Sequence, residues 1–222
     1  MFEQQESVFY CTVCTAHSTE FLSYGNPPRK NAKCPNCMSL ERHRLIWLYI
    51  EKILNNNIEN KLDVLHVAPE RLFFEKLNNE NINYITCDLS MSEAAFKIDL
   101  TNIPIRDNKI DLIICSHVLE HIVDDTQAIS ELYRILRKDG IALIMVPIRG
   151  ETTYEDFSII TNEERNIHFG QWDHVRMYGS DIIDRLTNCG FKVIAEPQPK
   201  TTSSLLMKLS NFRNEKLFYC VK

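Results

Sequence analysis

No apolar run in the chain approaches the ~18 residues needed to cross a bilayer, so no membrane-spanning segment is expected. Its opening residues lack the basic stretch followed by an apolar one that marks a secretory signal, which makes the cytoplasm the expected location. A positive excess is missing as well. The net charge of −5 argues against a protein that coats nucleic acid indiscriminately. Internal repeats and low-complexity tracts are also absent. The remaining balance, 44% hydrophobic and 25% charged over 222 residues, fits one full α/β domain with a short appendage.

Eight cysteines without a secretion signal point to metal before disulfides. Four of them form two pairs, Cys11 with Cys14 and Cys34 with Cys37, each with a two-residue spacer and with 19 residues between the pairs. Two thiolate pairs on tight turns complete a tetrahedron around one zinc ion, and Pro35-Asn36 is turn chemistry. Four cysteine ligands mean a closed, structural site; a redox dithiol is the alternative. Cys87, Cys115, Cys189 and Cys220 stand singly in or beside apolar segments and read as small hydrophobes. Arg29, Lys30, Lys33, Arg42, Arg44 and Lys52 cluster near the paired cysteines against Glu41 and Glu51. Solvated surface is the expected role for these charges, with phosphate contact as the alternative.

The chain divides into a zinc ribbon at 1–38, a linking helix at 39–60 and an α/β domain at 61–222. In the helix, Leu45, Leu48, Tyr49, Lys52 and Ile53 share one face. From residue 62 onward, short apolar strands alternate with helices. Strands are expected at 62–67, 82–87, 110–115, 141–146, 191–195 and 217–221, and helices at 69–77, 124–137 and 179–189. That rhythm predicts a doubly wound, mostly parallel sheet. The connection 147–178 breaks it, since typical loops of this kind have roughly 2–6 residues. Its aromatic residues and histidines mark it as a lid or substrate wall.

Ligands of such sheets bind at the carboxyl ends of the strands. Three features fall there. His66-Val67-Ala68-Pro69-Glu70 leads from the first strand into a helix. Asp88, with Leu89, ends the next strand about 20 residues later, where a carboxylate accepts hydrogen bonds from both ribose hydroxyls of an adenosine. Asp99-Leu100 is placed to accept from an adenine amino group, and Ser116-His117 closes the third strand end.

These stretches, with the run from Ile110 through His121 and that from Glu131 to Gly140, resemble the class I S-adenosylmethionine-dependent methyltransferases, in particular the ubiquinone/menaquinone-biosynthesis-like superfamily. The resemblance spans about 160 residues. It implies a Rossmann-like seven-stranded sheet with the last strand antiparallel, S-adenosylmethionine as cofactor, and His66, Ala68, Pro69, Asp88, Leu89, Asp99, Leu100, Ser116 and His117 around it. The family's glycine-rich turn after the first strand is missing, and small Ala68 stands in its place. A subset of bacterial methyltransferases resembles this chain in having the His-x-Ala-Pro-Glu turn behind four cysteines.

His117-Val118-Leu119-Glu120-His121 also matches the inverted zinc-peptidase signature. That motif needs a long helix, whereas here it follows a buried strand directly, so it is read as lining the cofactor and acceptor pocket. In the long connection, His174 beside Asp173 is the expected general base, with His121 as its rival; a cluster that only pins the lid is the bland alternative. The leading function is methylation of a small molecule such as a sugar, glycan precursor or secondary metabolite. A zinc module before such a domain resembles sugar C-methyltransferases. Two alternatives stay open: an RNA base methyltransferase docking RNA on the zinc module, as in certain ribosomal RNA methyltransferases, and a non-catalytic binding protein.

Overall fold

The structure, a computed structural model, describes residues 9–57, 61–90, 94–196, 210–212 and 215–222. They fall into two compact units, one within 1–58 and 197–215, the other within 59–196 and 216–222. No helix among the described residues is long and apolar enough to cross a membrane.

The first unit has two antiparallel pairs, β1 (Phe9–Tyr10) with β2 (His17–Ser18) and β3 (Leu22–Tyr24) with β4 (Arg29–Lys33), followed by helix α1 (Glu41–Asn56). Arg44 organises it. The guanidinium is fully buried and donates to the carbonyls of Ala32, Ser39 and Ser210 at 3.1, 2.7 and 2.8 Å, and it stacks over the Phe21 ring. The expected division at residues 38 and 60 therefore shifts. Helix α1 and residues 210–212 go with the cysteine-bearing segment, because the buried cation on the helix needs carbonyls from the other two to replace its lost water. Arg44 is thus no surface charge, and Arg29 is committed to the buried Glu41 at 3.1 Å.

The second unit is built on a seven-stranded sheet. In chain order its elements are β5 (Leu62–Val67), α2 (Phe74–Leu77), β6 (Ile82–Asp88), β7 (Phe96–Lys97), β8 (Ile110–Ser116), α3 (Asp125–Ile135), β9 (Leu136–Met145), β10 (Tyr154–Glu155), α4 (Asn162–Phe169), β11 (Arg176–Met177), α5 (Ile182–Asn188), β12 (Lys192–Glu196) and β13 (Leu217–Val221). The sheet order is β12-β13-β9-β8-β5-β6-β7, parallel throughout except that β13 runs antiparallel to both neighbours. Central strands are covered on both faces, which is why β8 reads as an unbroken apolar run from Leu112 to Cys115. Helix α3 buries Ala128, Ile129, Leu132 and Ile135, and Asp124 caps it by accepting from Gln127 N–H at 2.9 Å.

Two elements differ from expectation. The helix after β5 is only a 3-10 turn, Arg71–Phe73, running into the single turn of α2. Helix α3 stops at Ile135 rather than at the Lys138-Asp139-Gly140 signal. Buried Leu136 pairs with Ile110 at that point, and the chain joins the sheet early. The long connection is folded: β10 pairs with β11, and α4 runs from a Thr161–Glu164 capping box to Gly170, whose φ of +84° ends it in the left-handed region.

Candidate active site

Strands β5 and β8 are neighbours in the sheet, and the chain leaves them for opposite sides, so the switch point lies at their carboxyl ends. A cleft of about 450 Å³ opens there, within the second unit. Of the residues singled out in the sequence, Ala68, Asp88, Leu89, Asp99, Leu100, His117, His121 and Asp173 line it, together with Val67, Ser90, Ile98, Val118 and Ile122. Of the latter five, Val67 and Val118 carried a signal, as parts of the His66–Glu70 turn and the His117–His121 motif.

Both aspartates hold their own turns with one oxygen. Asp88 Oδ1 accepts from the amide and hydroxyl of Ser90, each at 2.6 Å, and Asp99 Oδ1 accepts from those of Thr101 at 2.9 and 2.8 Å. Among the described residues, Oδ2 of each carboxylate makes no hydrogen bond. Ala68 has φ of +47°, the left-handed conformation in which a glycine costs nothing and any other residue is strained. The turn therefore keeps the backbone path of a glycine-containing one.

Three expected cofactor residues do not line the cleft. His66 is fully buried, with Tyr84 Oη at 2.7 Å from Nδ1 and Glu70 Oε2 at 2.7 Å from Nε2, so it braces the turn from below. Pro69 is buried, and Ser116 is nearly so.

At the other end of the cleft the imidazoles meet. His121 and His174 pack edge to face with centroids 4.7 Å apart. Asp173 was expected to orient His174, but its Oδ2 lies 3.3 Å from His121 Nδ1 instead. Consecutive residues on an irregular segment point apart, and His174 turns inward, with Nδ1 3.3 Å from the carbonyl of Phe169. Burial pushes the His174 imidazole below its ordinary range. Beside the rings lies Glu120, with no exposed surface. His117, at φ of +57°, is swung over it with Nδ1 3.3 Å from Oε1.

Residues 65–144 match the family model for the methyltransferase domain. That stretch, which runs from β5 into β9, is therefore similar to a methyltransferase domain. A probable S-adenosylmethionine-dependent methyltransferase of Mycolicibacterium smegmatis is 35% identical over 43% of this chain and 34% of its own length. An uncharacterised protein of Methanocaldococcus jannaschii is 29% identical over 56% of this chain and 62% of its own. The chain thus spans less than two thirds of either curated relative. Among solved structures, the CurJ carbon methyltransferase superposes with a TM-score of 0.55 at 14% identity, covering 82% of this chain and 55% of that one. The YcgJ protein of Bacillus subtilis does so with 0.51 at 13%, covering 78% and 97%. These two likenesses concern the fold.

A buried ion network holds the His121 end of the cleft in place, and the sequence reading missed it. Arg176, 1% exposed, donates to the carbonyls of Leu119, Ile122 and Val123 and, at 2.9 Å, to Glu155. Those carbonyls belong to the turn that carries Glu120 and His121. Arg185 bonds Asp125 at 3.0 Å and Glu155 at 2.8 Å, while the Tyr178 hydroxyl donates to Asp125 at 2.6 Å. The connection is thereby tied down at β11. Its only hint in the sequence was charge within an aromatic segment.

In the first unit, the cysteines expected to hold metal come together. All four sulfurs lie within 4.8 Å of one another; Cys11 and Cys37 are 3.5 Å apart, Cys14 and Cys34 3.8 Å. A tetrahedron with ~2.3 Å zinc–sulfur bonds has edges of about 3.8 Å, so the donor set fits such an ion. The two turns share one geometry. Thr15 and Met38 N–H donate back to the first cysteine carbonyl of each pair at 2.8 and 3.0 Å, and both residues have positive φ.

Proposed function

We propose that this chain binds S-adenosylmethionine in the switch-point cleft and transfers its methyl group to a small-molecule acceptor at the His121 end. The observation that carries this reading is the pair Asp88 and Asp99 on one cleft of a methyltransferase domain, each with an oxygen to spare. Asp88 accepts from the ribose hydroxyls and Asp99 from the adenine amino group. Leu89, Ile98 and Leu100 wall the base, and left-handed Ala68 lets the backbone approach closely. The cofactor supplies a methyl group already activated on a sulfonium. What remains for the chain is alignment and exclusion of water.

On the acceptor side, His117, His121 and Asp173 face the cleft, and His174 stands behind His121. Of the three residues expected to act on the acceptor, His121 is the one that touches it in this reading, supported by its place in the cleft wall and by Asp173 at 3.3 Å. The commitment of Arg29 and Arg44 within the first unit favours a small molecule over docked RNA. The four cysteines hold one structural zinc ion, and unbridged thiols suit a cytoplasmic protein.

Incubating the protein and a cellular extract with labelled methyl donor, followed by mass spectrometry, tests the reading. A labelled small metabolite is expected. Label in RNA alone would replace the acceptor class, and cofactor binding with no labelled product in any extract would make the chain a binding protein.

A further inference from the structure

Glu120 has no exposed surface, and neither of its carboxylate oxygens makes a hydrogen bond among the described residues. A bare buried carboxylate is among the least tolerable groups in a protein interior, so a positive charge belongs beside it. Among the described residues no lysine or arginine supplies it; the groups facing it are the imidazoles of His117, His121 and His174. Glu120, His121 and His174 each offer a ligand atom, and the three atoms lie within 4.8 Å of one another.

The two farther rings are held as metal-binding imidazoles are held. His121 has Asp173 at 3.3 Å from Nδ1, and His174 has the Phe169 carbonyl at 3.3 Å from Nδ1. Nε2 of each ring is left without a hydrogen-bond partner among the described residues. A carboxylate or carbonyl on one ring nitrogen fixes the tautomer and aims the other nitrogen at an ion. The turn that presents Glu120 and His121 is itself fixed by Arg176, and the left-handed backbone of His117 is strain of the kind that collects at ligand sites.

We propose that Glu120, His121 and His174 bind a divalent first-row transition ion, with His117 at its edge. Two imidazoles and a carboxylate suit manganese, iron, cobalt or zinc better than magnesium or calcium, which prefer an all-oxygen shell. These are not the two histidines of the inverted zinc-peptidase pattern. The second imidazole comes from the far end of the long connection. His121 is also a wall of the cleft, so the ion borders its acceptor end. The proposal does not rest on methyl transfer, because ion binding alone tests it.

The experiment titrates cobalt into the full chain with its cysteines already loaded with zinc, and reads the visible spectrum. Uptake at this site gives weak visible bands without the thiolate-to-cobalt charge transfer that exchange into the cysteines produces. One further ion per chain is expected in the wild type. At the cobalt concentration that saturates the wild type, Glu120→Gln and His174→Ala should show none. Thermal unfolding adds a second readout. Ion-free Glu120→Gln should melt higher than ion-free wild type, having lost a bare buried charge, and cobalt should raise the melting temperature of the wild type but of neither Glu120→Gln nor His174→Ala. Asp173→Asn, outside the ligand set, keeps the test alive if a ligand variant fails to fold, and should weaken binding about 10–100-fold. Cobalt entering only the cysteine site, or binding equally well to Glu120→Gln, overturns the proposal. So does a Glu120→Gln protein that melts below ion-free wild type, since the carboxylate is then neutralised by a proton on a neighbouring imidazole.

Discussion

Replacing Arg176 by Met removes the charge behind the turn that carries His121 while keeping roughly its volume. The guanidinium supplies hydrogen bonds to the carbonyls of Leu119, Ile122 and Val123 and an ion pair to Glu155, all from a side chain 1% exposed. Breaking a buried pair by removing one partner costs about 3–5 kcal/mol. Three features place this case at the lower end. Glu155 keeps Arg185 at 2.8 Å, Asp125 keeps Arg185 and Tyr178, and Val123, 61% exposed, lets its carbonyl turn to water. The expected loss is therefore about 3 kcal/mol, carried mostly by the stranded carbonyls of Leu119 and Ile122. For a chain of this size that lowers the unfolding midpoint by about 6–12 °C. Calorimetric melting of wild type and variant measures it, reading the transition of the larger unit. Arg185→Met is the internal control. Its side chain is 25% exposed, so its loss should cost less than half as much. A shift for Arg176→Met no larger than that of Arg185→Met would refute the idea that the buried clamp, rather than the surface network, holds the turn.

Protein purified without added metal should contain one zinc per chain by elemental analysis, and chelation should melt the first unit before the sheet; a folded, metal-free protein with four reactive thiols would end that reading. Asp88→Ala should weaken S-adenosylmethionine binding by about 2–4 kcal/mol in calorimetry, and equal affinities would mean that Asp88 only holds the Ser90 turn. Burial raises the Glu155 carboxyl, but hydrogen bonds from Arg185 and Arg176 outweigh it and hold the group below its ordinary value. The stability this lends is present above the unfolded value and is lost as pH falls through the folded one, so the acid limb should begin below roughly pH 4.3 and flatten in Arg185→Met. Ala68→Gly relieves about 1–2 kcal/mol of left-handed strain against about 0.4–1 kcal/mol of added chain entropy, so a slightly higher melting temperature is expected, and a lower one would locate the strain elsewhere.

Much of this molecule could be read without its structure, wherever the signal is local. Alternating apolar strands and amphipathic helices specified the sheet, because burial on both faces requires a run such as Leu112 to Cys115 to be wholly apolar. Even the reversed last strand followed from the resemblance those runs carried. The two cysteine pairs came together as their spacing implied, since a two-residue spacer already sets the distance between two sulfurs on one turn. Asp88 and Asp99 were legible for the same reason: a strand end is a place in the sequence as well as in space.

Other features depended on the tertiary structure. Arg44 looked like one more charge in a basic cluster, yet it is buried by carbonyls from residues 32, 39 and 210. Asp173 was paired with its chain neighbour and instead contacts His121, and His66 was placed in the cleft when it lies beneath it. Arg176 holds a turn more than fifty residues away. For Arg44, Asp173 and Arg176 a deciding contact joins residues more than fifty apart in the chain. Such a contact leaves no periodicity or spacing to read, because which side chain reaches a buried carbonyl or carboxylate first is settled only when the layers pack.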